Sequence, residues 1–473
     1  MQLPCLIFRR IPLLRTTCVQ HRGLLTLAIE TSCDDTSVAI LEKHKNNSAT
    51  LHFHENITSD NRQYGGIYPI VAHESHQQNL AALVQKALRS LPAQVPQRAS
   101  YRSSLLVKED NGLEVLRKKP DFVTATRGPG MRSNLITGLD TSKGLSVAWQ
   151  VPFLGVNHMQ AHALTPRMVF ALNLSTAINA DESTRTYPSF PFLSLLVSGG
   201  NSMLVNSTSI HEHVILAQTS DMAVGDAIDK SARLILPKAF REAAPGVSYG
   251  PALEHYAFPE MGNIENSNDY YKYSPPGLYS KKTHPSDSST SEIDPTQSVT
   301  WSIPLPMSKG TSGDLEHLAK TYSFSGIGSK IKAILAKHPS MEDAERRILA
   351  REMMRVTFEH LGTRVLMALK GSSKDVKTLV ISGGVASNQY LKHIVRCMMD
   401  ANGHKDIELI SPPIKFCTDN AAMIAWTGIE MWEAGYRTGL DAMALKKWDI
   451  DPASKDGGIL GAGSWEKVCQ CMK

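Results

Sequence analysis

Two histidines with the spacing of metal ligands stand at His158 and His162, in the segment VNHMQAHALTP. On a helix, residues four positions apart project from the same face, so both imidazoles could bind one metal ion. Imidazole suits zinc, iron, nickel and copper. Histidines with this spacing also occur in helices that bind no metal. A third ligand is needed, and Asp419 is a candidate, although an aspartate there could instead cap the alanine-rich helix that follows.

Three carboxylates lie close together in the segment AIETSCDDTSVAIL, at Glu30, Asp34 and Asp35. Apolar runs flank this polar stretch on both sides, which predicts a hairpin over 24–42 with the carboxylates at its tip. There they could steer a metal-bound phosphate or orient a nucleophile. A solvated turn held by its own aspartate side chains would carry the same residues.

Glycine-rich turns follow strand patterns at three places: SGGN (198–201), SGGVASN (382–388) and TRGPGMRSN (126–134). Glycine lets backbone N–H groups approach an anion closely, and a helix start also favours negative charge. Any one of them could be an ordinary turn, but three at strand ends favour a nucleotide or phosphate cleft. None is a P-loop or the dinucleotide fingerprint GxGxxG.

These residues are predicted to lie on alternating strands and helices. The patterns indicate a strand–helix–strand unit over 121–156, a strand–turn–strand over 190–206, and a buried strand that runs into a glycine turn over 376–384. Helices are predicted over 73–91 and 341–370. Short strands that end in glycine turns, with helices between them, indicate an α/β fold with backbone amides gathered at one end of a sheet.

The composition is that of a globular chain with a sizeable core, since 42 % of its 473 residues are hydrophobic and 20 % are charged. No apolar run approaches the roughly 20 residues needed to cross a bilayer. The net charge of +5 is mildly basic, so charge by itself is weak evidence for a nucleic-acid partner. The seven cysteines form no CxxC pair, which favours a reducing compartment.

Two segments differ from the rest. Residues 1–23 carry arginines interleaved with leucine and isoleucine, and the first acidic residue is Glu30. An arginine-rich, acid-free leader is typical of a mitochondrial presequence, although a disordered basic tail would look similar. Residues 260–314 are rich in Ser, Pro, Asn, Asp and Lys, which predicts a surface insertion that is at least partly disordered.

Together the motifs resemble one family closely, the tRNA N6-adenosine threonylcarbamoyltransferases, long described as sialoglycoprotein-endopeptidase-like proteins. The matching segments occur in family order: AIETSCDDTSVAIL, TRGPG…GLDTSKGLSVA, PFLGVNHMQAHAL, PFLSLLVSGG, GDAIDKSARL, YSFSGI, ISGGVASN and CTDNAAMIA. With its leader, the chain looks like a mitochondrial member. The resemblance implies an α/β, actin-like ATPase fold in which two lobes with mixed sheets face a central cleft. We expect an N-terminal lobe over 24–160, a C-terminal lobe over 161–440 and a C-terminal tail over 441–473.

The resemblance also implies the reaction and its partners. Threonylcarbamoyl-AMP, supplied by a separate synthase, donates its threonylcarbamoyl group to N6 of the adenosine 3′ of the anticodon, and AMP is released. The acceptors are mitochondrial tRNAs that read A-starting codons, which implies that the enzyme acts in the mitochondrial matrix. We expect it to be a monomer or a homodimer.

The family's functional positions can be carried over to this chain. Its metal ligands fall on His158, His162 and Asp419, which would hold one divalent cation such as zinc or iron. Its donor-binding positions fall on Leu196, Val197, Ser198, Gly199, Gly200, Asp229, Gly250 and Asn388. Asp34 is our candidate for orienting the adenosine amine or accepting its proton.

The chain departs from the family pattern at three positions, where Asn201 replaces a histidine and Asp226 and Ile70 replace glutamates. These departures concern donor contacts and leave the metal ligands in place. A zinc metalloprotease is a competing function, but its motif needs a glutamate directly after the first histidine, where Met159 stands. The second competing function is that of a sugar kinase or ATPase of the same fold class, which would turn over ATP without tRNA.

Overall fold

The computed structural model describes residues 23–64, 66–94, 103–174, 186–243, 248–259, 270–271, 273–275, 299–307, 320–371 and 375–468. The predicted leader lies outside the described residues apart from Gly23, and so does most of the predicted insertion over 260–314. Within the described ranges, no helix combines the length and the apolarity needed to cross a bilayer.

The first main sheet contains the predicted hairpin. In chain order, this part of the protein forms β1 (Leu24–Glu30), β2 (Asp35–Lys43), β3 (Ala49–Thr58), β4 (Ser104–Lys108), β5 (Glu114–Lys118), β6 (Phe122–Gly128) and β7 (Phe153–Asn157). The sheet order is β3-β2-β1-β6-β7, and β4 and β5 form a separate hairpin. Strands β1 to β3 are antiparallel neighbours, whereas β6 and β7 run parallel to β1. Strand β6 is buried along its whole length, as expected for a parallel strand covered on both faces.

The second main sheet repeats this arrangement. Its strands are β8 (Phe192–Val197), β9 (Ser202–Ser207), β10 (His213–Thr219), the short β11 (Thr321–Tyr322), β12 (Thr378–Ser382) and β13 (Glu408–Ile410). The order is β11-β10-β9-β8-β12-β13, with an antiparallel meander followed by two strands parallel to β8. Two lobes with the same mixed-sheet topology confirm the predicted α/β fold of the actin-like type. A small antiparallel pair, β14 (Tyr436–Thr438) and β15 (Trp465–Lys467), lies near the C-terminal end of the described chain.

The helices fill the spaces around the sheets. The described residues form α1 (Pro69–Leu88), α2 (Arg132–Trp149), α3 (His158–Leu174), α4 (Val224–Ile235), α5 (Lys238–Ala243), α6 (Gly250–Ala257), α7 (Ser325–Lys337), α8 (Asp343–Gly371), α9 (Gln389–Ala401), α10 (Ala421–Glu433) and α11 (Gly458–Gly461). The predicted helices over 73–91 and 341–370 are confirmed as α1 and α8. Helix α1 begins four residues before the prediction, because Pro69 occupies its first turn, where proline is well tolerated.

Helices α3 and α10 pack against each other between the two sheets. One core cluster joins Phe122 of the first sheet, Phe192 and Leu196 of the second, and Met159 and Trp426 of the two helices. Helix α10 is buried from its first residue through Met431, and it packs directly on β1 and β2. A helix that is apolar on all sides belongs in such an interior position. The starts of these two helices carry the candidate metal ligands.

Candidate functional site

The two histidines lie on α3, where the helix starts directly after β7. Asn157, the last residue of β7, accepts the N–H groups of Met159 (2.9 Å) and Gln160 (3.1 Å) through Oδ1, and so caps the helix start. Both imidazoles are buried, with exposed fractions of 7 % and 4 % for His158 and His162. A strand that leads without a loop into a capped helix therefore fixes both rings at the end of the first sheet.

Asp419 precedes α10 but does not cap it. Asn420 is the N-cap, since its Oδ1 accepts the N–H of Met423 at 2.9 Å. The Asp419 segment is instead held by the first sheet, where Asn56 donates to the Asp419 carbonyl at 3.0 Å and Ser37 Oγ accepts the N–H of Ala421 at 2.9 Å. The Asp419 carboxylate is thus available to the two histidines.

The ligand atoms of His158, His162 and Asp419 form a nearly equilateral triangle. The two Nε2 atoms lie 3.2 Å apart, and each lies 3.2 Å from Asp419 Oδ1. Ligands bound to one cation at 2.0–2.1 Å in tetrahedral to octahedral geometry are separated by about 2.8 to 3.4 Å. Within the described chain these three are also the residues whose ligand atoms converge closely enough to hold a metal ion. The donor set and its spacing therefore fit a divalent cation.

A second carboxylate contacts the other side of the His158 ring. Glu30 Oε2 lies 3.4 Å from His158 Nδ1, and Ser32 Oγ lies 3.2 Å from the same nitrogen. Glu30 is fully buried at the end of β1, where its carboxylate accepts the N–H of Ser32 at 2.6 Å and the hydroxyl of Thr126. Such a contact behind a ligating histidine fixes the ring's orientation and tautomer.

The charges in this cluster depend on one another. Burial alone would raise the pKa of both carboxyls, but the His158 imidazole lowers the pKa of Glu30 and, together with His162, that of Asp419. Burial would also lower the pKa of His158, but the two carboxylates raise it well above its ordinary value. Both carboxylates are therefore held in the ionised form, which for Asp419 is the form that binds a cation.

The tip of the hairpin between β1 and β2 is clamped beside this cluster. The Cys33 carbonyl accepts from Asn134 Nδ2 (2.6 Å) and His76 Nε2 (3.1 Å), and the Asp34 carbonyl accepts from the N–H of Ser59 (3.0 Å). Asp34 itself is half-buried, and both burial and the nearby Asp419 charge raise the pKa of its carboxyl. The tip thus presents a carboxylate of raised basicity next to the cation site.

The predicted donor residues gather around the end of β8. Leu196 and Val197 end the strand, and the turn that follows is closed by Ser198 Oγ, which accepts the N–H groups of Gly200 (3.3 Å) and Asn201 (3.0 Å). A Cβ on either Gly199 or Gly200 would meet no atom within 4 Å, so the backbone of the turn is open to a ligand. Leu196 also shares the core cluster with Met159 and Ala421, which adjoin the metal ligands.

Glycines bring two further segments against this turn. A Cβ on Gly225, at the start of α4, would come within 2.7 Å of the Ser198 carbonyl oxygen. Gly383, in the turn after β12, has a φ of +99°, and a Cβ there would come within 2.3 Å of the Val197 carbonyl oxygen. Only glycine allows this approach. Two glycine turns and the start of α4 therefore meet at one edge of the second sheet.

Asp229 and Gly250 are brought together although they lie on different helices. Asp229 Oδ1 accepts the N–H groups of Tyr249 (2.8 Å) and Gly250 (3.1 Å), which anchors the start of α6 to α4. Asn388 caps α9 by accepting the N–H of Leu391 at 2.9 Å. Its Nδ2 faces the weak acceptor Sδ of Met354 at 3.9 Å.

Sequence reasoning missed several residues that position these groups. Glu254 on α6 accepts the N–H groups of Gln389 (2.8 Å) and Tyr390 (3.0 Å) and so links the two donor segments. His76 on α1 is fully buried and lies 2.8 Å from Thr36 Oγ1 through Nδ1. His76 could have been found from the sequence, because it is a polar residue at an apolar position of a predicted helix. No sequence feature indicated a positioning role for Glu254.

The three departures from the family pattern occupy different surroundings. Asn201 contributes backbone bonds to the Ser198 turn, and Asp226 pairs with Lys230 at 2.8 Å on an exposed face of α4. Ile70 exposes 57 % of its surface. None of the three contacts a metal ligand.

Comparisons with known proteins agree on one family. A family model described as tRNA N6-adenosine threonylcarbamoyltransferase matches residues 111–426. The mitochondrial tRNA N6-adenosine threonylcarbamoyltransferase of Schizosaccharomyces pombe is 34 % identical, over 92 % of this chain and 89 % of its own length. The mitochondrial protein of the same name from Danio rerio is 31 % identical, over 88 % of this chain and 84 % of its own length. A Rhizobium meliloti tRNA N6-adenosine threonylcarbamoyltransferase is 29 % identical, over 92 % of this chain and 98 % of its own length.

Solved structures are more distant. HypF of T. kodakarensis has a TM-score of 0.41 and 11 % identity, over 88 % of this chain and 48 % of its own. A Balamuthia mandrillaris glucokinase in complex with glucose has a TM-score of 0.33 and 14 % identity, over 86 % of this chain and 94 % of its own. The assignment to a family therefore depends on the sequence matches.

Proposed function

This chain belongs to the tRNA N6-adenosine threonylcarbamoyltransferase family and is a transferase, and from that premise we propose that it modifies mitochondrial tRNAs that read A-starting codons. The donor is threonylcarbamoyl-AMP, supplied by a separate synthase, and the acceptor is N6 of the adenosine 3′ of the anticodon. The relatives from S. pombe and D. rerio are named mitochondrial, which supports action in the mitochondrion. We extend this to the matrix, with the enzyme acting as a monomer or homodimer.

The observation that carries the proposal is the convergence of His158, His162 and Asp419 beside the hairpin tip. These three residues would hold a divalent cation, zinc or iron, which would supply Lewis-acid stabilisation of the charge that develops on the departing AMP. The open backbone of the turn over 198–200 suits the phosphate of the donor. We assign the acceptor side of the site to Asp34 and the donor side to the end of β8.

The donor's nucleoside would be held by Asp229, Gly250 and Asn388. Asp229 uses Oδ1 to hold the start of α6, so Oδ2 is the oxygen we assign to a ribose hydroxyl. Asn388 uses Oδ1 as a helix cap, and we assign its Nδ2, whose partner is the weak acceptor Met354 Sδ at 3.9 Å, to the ligand in place of that contact. Both side chains are fixed by their other bonds, and such pre-organisation reduces the entropy lost on binding.

The chemical step is an acyl transfer. The N6 nitrogen attacks the carbamoyl carbon, the bond from that carbon to the phosphate oxygen breaks, and AMP leaves with the electron pair. The proton lost from N6 goes to the Asp34 carboxylate, whose raised pKa makes it a better proton acceptor than an ordinary aspartate. Because an exocyclic amine is a poor nucleophile, most of the rate gain comes from holding it against the donor.

The direct test combines purified protein, unmodified tRNA and threonylcarbamoyl-AMP, followed by mass spectrometry of the nucleosides. We expect N6-threonylcarbamoyladenosine in tRNAs that read A-starting codons and none in a control tRNA lacking adenosine 3′ of the anticodon. Mitochondrial tRNA from cells that lack the protein is expected to lose the modified nucleoside. An unchanged level in those cells would contradict the proposal.

A metalloprotease is not supported by the site. Met159 occupies the position where that activity needs a glutamate base, and its side chain is buried in the core cluster between the sheets. Apart from the ligand Asp419, the carboxylate near His158 is Glu30, which contacts the back of the ring at Nδ1 and not the converging Nε2 atoms. We therefore expect no peptide cleavage that depends on metal.

A further inference from the structure

Four large apolar side chains with exposed surface occur within seven residues beside the hairpin tip. Tyr64, Ile67, Tyr68 and Ile70 expose 47, 44, 39 and 57 % of their surface. The two tyrosine rings are stacked, with centroids 4.4 Å apart and planes inclined by 16°. Scattered exposed apolar residues need no explanation, but a contiguous group marks an interaction site.

Hydrogen bonds fix this tyrosine pair relative to Asp34. Asn61 is buried, accepts the N–H of Tyr68 through Oδ1 at 2.9 Å, and donates through Nδ2 to Ser59 Oγ at 2.7 Å. The Asn61 carbonyl accepts the N–H of Tyr64 at 3.0 Å, and the N–H of Ser59 bonds the Asp34 carbonyl at 3.0 Å. Asn61 thus connects both rings to the segment that holds Asp34.

Exposed cations lie on the other side of the hairpin tip. Gly130 packs so closely on Ser32 that a Cβ would come within 2.7 Å of its carbonyl oxygen, and the N–H of Gly130 bonds the Lys446 carbonyl at 3.3 Å. Lys446 and Lys447 are exposed, as is Arg132 at the start of α2. Positive side chains and an aromatic pair therefore flank the tip.

We propose that Tyr64 and Tyr68 form a stacking platform for an unpaired base of the tRNA anticodon loop, and that Arg132, Lys446 and Lys447 bind phosphates of the same loop. The proposal rests on the proposed function, which makes such a loop the substrate. Single-stranded RNA loops are bound largely by stacking their splayed bases on aromatic side chains. Every base has a flat face, so the platform positions the loop next to Asp34 without reading its sequence.

The main test measures binding of an anticodon stem–loop RNA that carries 2-aminopurine in its loop. The double variant Tyr64→Ala and Tyr68→Ala is expected to raise the Kd about tenfold or more and to abolish the fluorescence change caused by stacking. The matched double variant Tyr64→Phe and Tyr68→Phe keeps the rings and is expected to retain both signals. Leu106→Ala, which removes another side chain with 61 % exposure, is expected to leave both unchanged.

Further measurements distinguish a platform that binds RNA from a patch that supports the donor site or the fold. The KM for threonylcarbamoyl-AMP is expected to stay constant in these three variants, whereas the KM for tRNA is expected to rise only in the Tyr64→Ala and Tyr68→Ala double variant. Lys446→Gln with Lys447→Gln is expected to weaken RNA binding and to reduce its salt dependence. Tyr64→Ala alone, at a nearly half-exposed position, is the milder variant and must change RNA affinity in the same direction.

Three results would overturn the platform. In an enzyme that modifies tRNA, unchanged RNA affinity in the alanine variant would overturn it while the transferase function stands. A changed oligomeric state in sedimentation with unchanged RNA affinity would assign the patch to a protein interface. A wild-type protein that modifies no tRNA would count against the proposed function itself, and the platform would fall with it.

Discussion

Glu30 and His158 are in contact across 128 residues of sequence, with Glu30 Oε2 at 3.4 Å from His158 Nδ1. The contact lies behind the ring, because the Nε2 atom of His158 faces His162 and Asp419. A buried carboxylate in this position stabilises the imidazole in the orientation that a cation needs. The geometry of the candidate metal site thus depends on a residue that does not itself bind the cation.

Replacing Glu30 by glutamine is expected to weaken metal binding by about 10- to 100-fold, because the neutral amide orients the His158 ring less strongly. Competition between the protein and a chromogenic chelator measures the affinity. Glu74→Gln, an exposed change on α1, is the control and is expected to bind metal like the wild type. Equal affinities in the two variants would mean that Glu30 does not support the ligand.

Removing the ligands is expected to remove both metal and activity. The double variant His158→Ala and His162→Ala should contain no bound divalent cation in elemental analysis and should form no modified nucleoside. A chelator should inactivate the wild type, and added zinc or iron should restore it. Full activity in the metal-free double variant would exclude a role for the cation.

Asp34→Asn is expected to lower kcat/KM by about 10²- to 10⁴-fold, the usual contribution of a positioned proton acceptor. In the wild type the rate depends on the ionised carboxylate, so activity falls as the pH drops through the Asp34 pKa. Because burial raises that pKa, the acidic limb should lie above the ordinary aspartate value. The limb should disappear in the asparagine variant.

Asp35→Asn is the matched control for this pH profile. Burial raises the pKa of Asp35 to about 7, but its carboxylate is engaged by the hydroxyl of Thr58, the last residue of β3. We therefore expect the control to keep its rate and its acidic limb. If the acidic limb of the pH profile were lost in Asp35→Asn but retained in Asp34→Asn, Asp35 and not Asp34 would be the proton acceptor.

Gly250→Ala is expected to raise the KM for the donor about tenfold without changing stability. A Cβ at this position would meet Ile228 at 3.8 Å, which is ordinary contact, so the folded chain accepts the methyl group and only a ligand would be displaced. Gly326→Ala, which also has room, should change neither quantity. A lowered melting temperature or an unchanged KM would contradict the placement of the donor.

Glu430→Ala is expected to lower the free energy of unfolding by about 3–5 kcal/mol, because it leaves a buried charge unpaired. Arg167 on α3 bonds Glu430 on α10 through Nε at 2.9 and 3.1 Å, and both side chains are buried. Denaturant titration measures the loss. Asp226→Ala breaks an exposed pair and should cost about 1 kcal/mol at most.

Local patterns explain what could be predicted from the sequence. The hairpin over 24–42 was predictable because apolar runs flank a polar turn, and the strand–helix–strand unit over 121–156 because an apolar strand runs into a glycine turn and a helical period. The lobe architecture came from the family resemblance, since periodicity does not say that two sheets repeat one topology. The predicted lobe boundaries place α10 in the second lobe, although it packs on the first sheet.

Other features depend on contacts between distant segments. The neighbours Asp419 and Asn420 are equally good helix caps by residue type, and only the tertiary contacts of Asp419 with the histidines assign the cap to Asn420. The bond between Asp229 and Gly250 connects two helices whose distance no local pattern reveals. The stacking of Tyr64 on Tyr68 likewise follows from the bonds made by Asn61.

The separation of the metal ligands along the chain has a consequence for biosynthesis. Asp419 lies 257 residues after His162, and synthesis proceeds from the N-terminus, so both histidines leave the ribosome long before the third ligand exists. Helix α10, which covers β1 and β2, is made directly after Asp419. Completion of the three-ligand set and closure of the interior by α10 therefore need the same late-synthesised segment. A chain that ends before Asp419 lacks both the third ligand and helix α10.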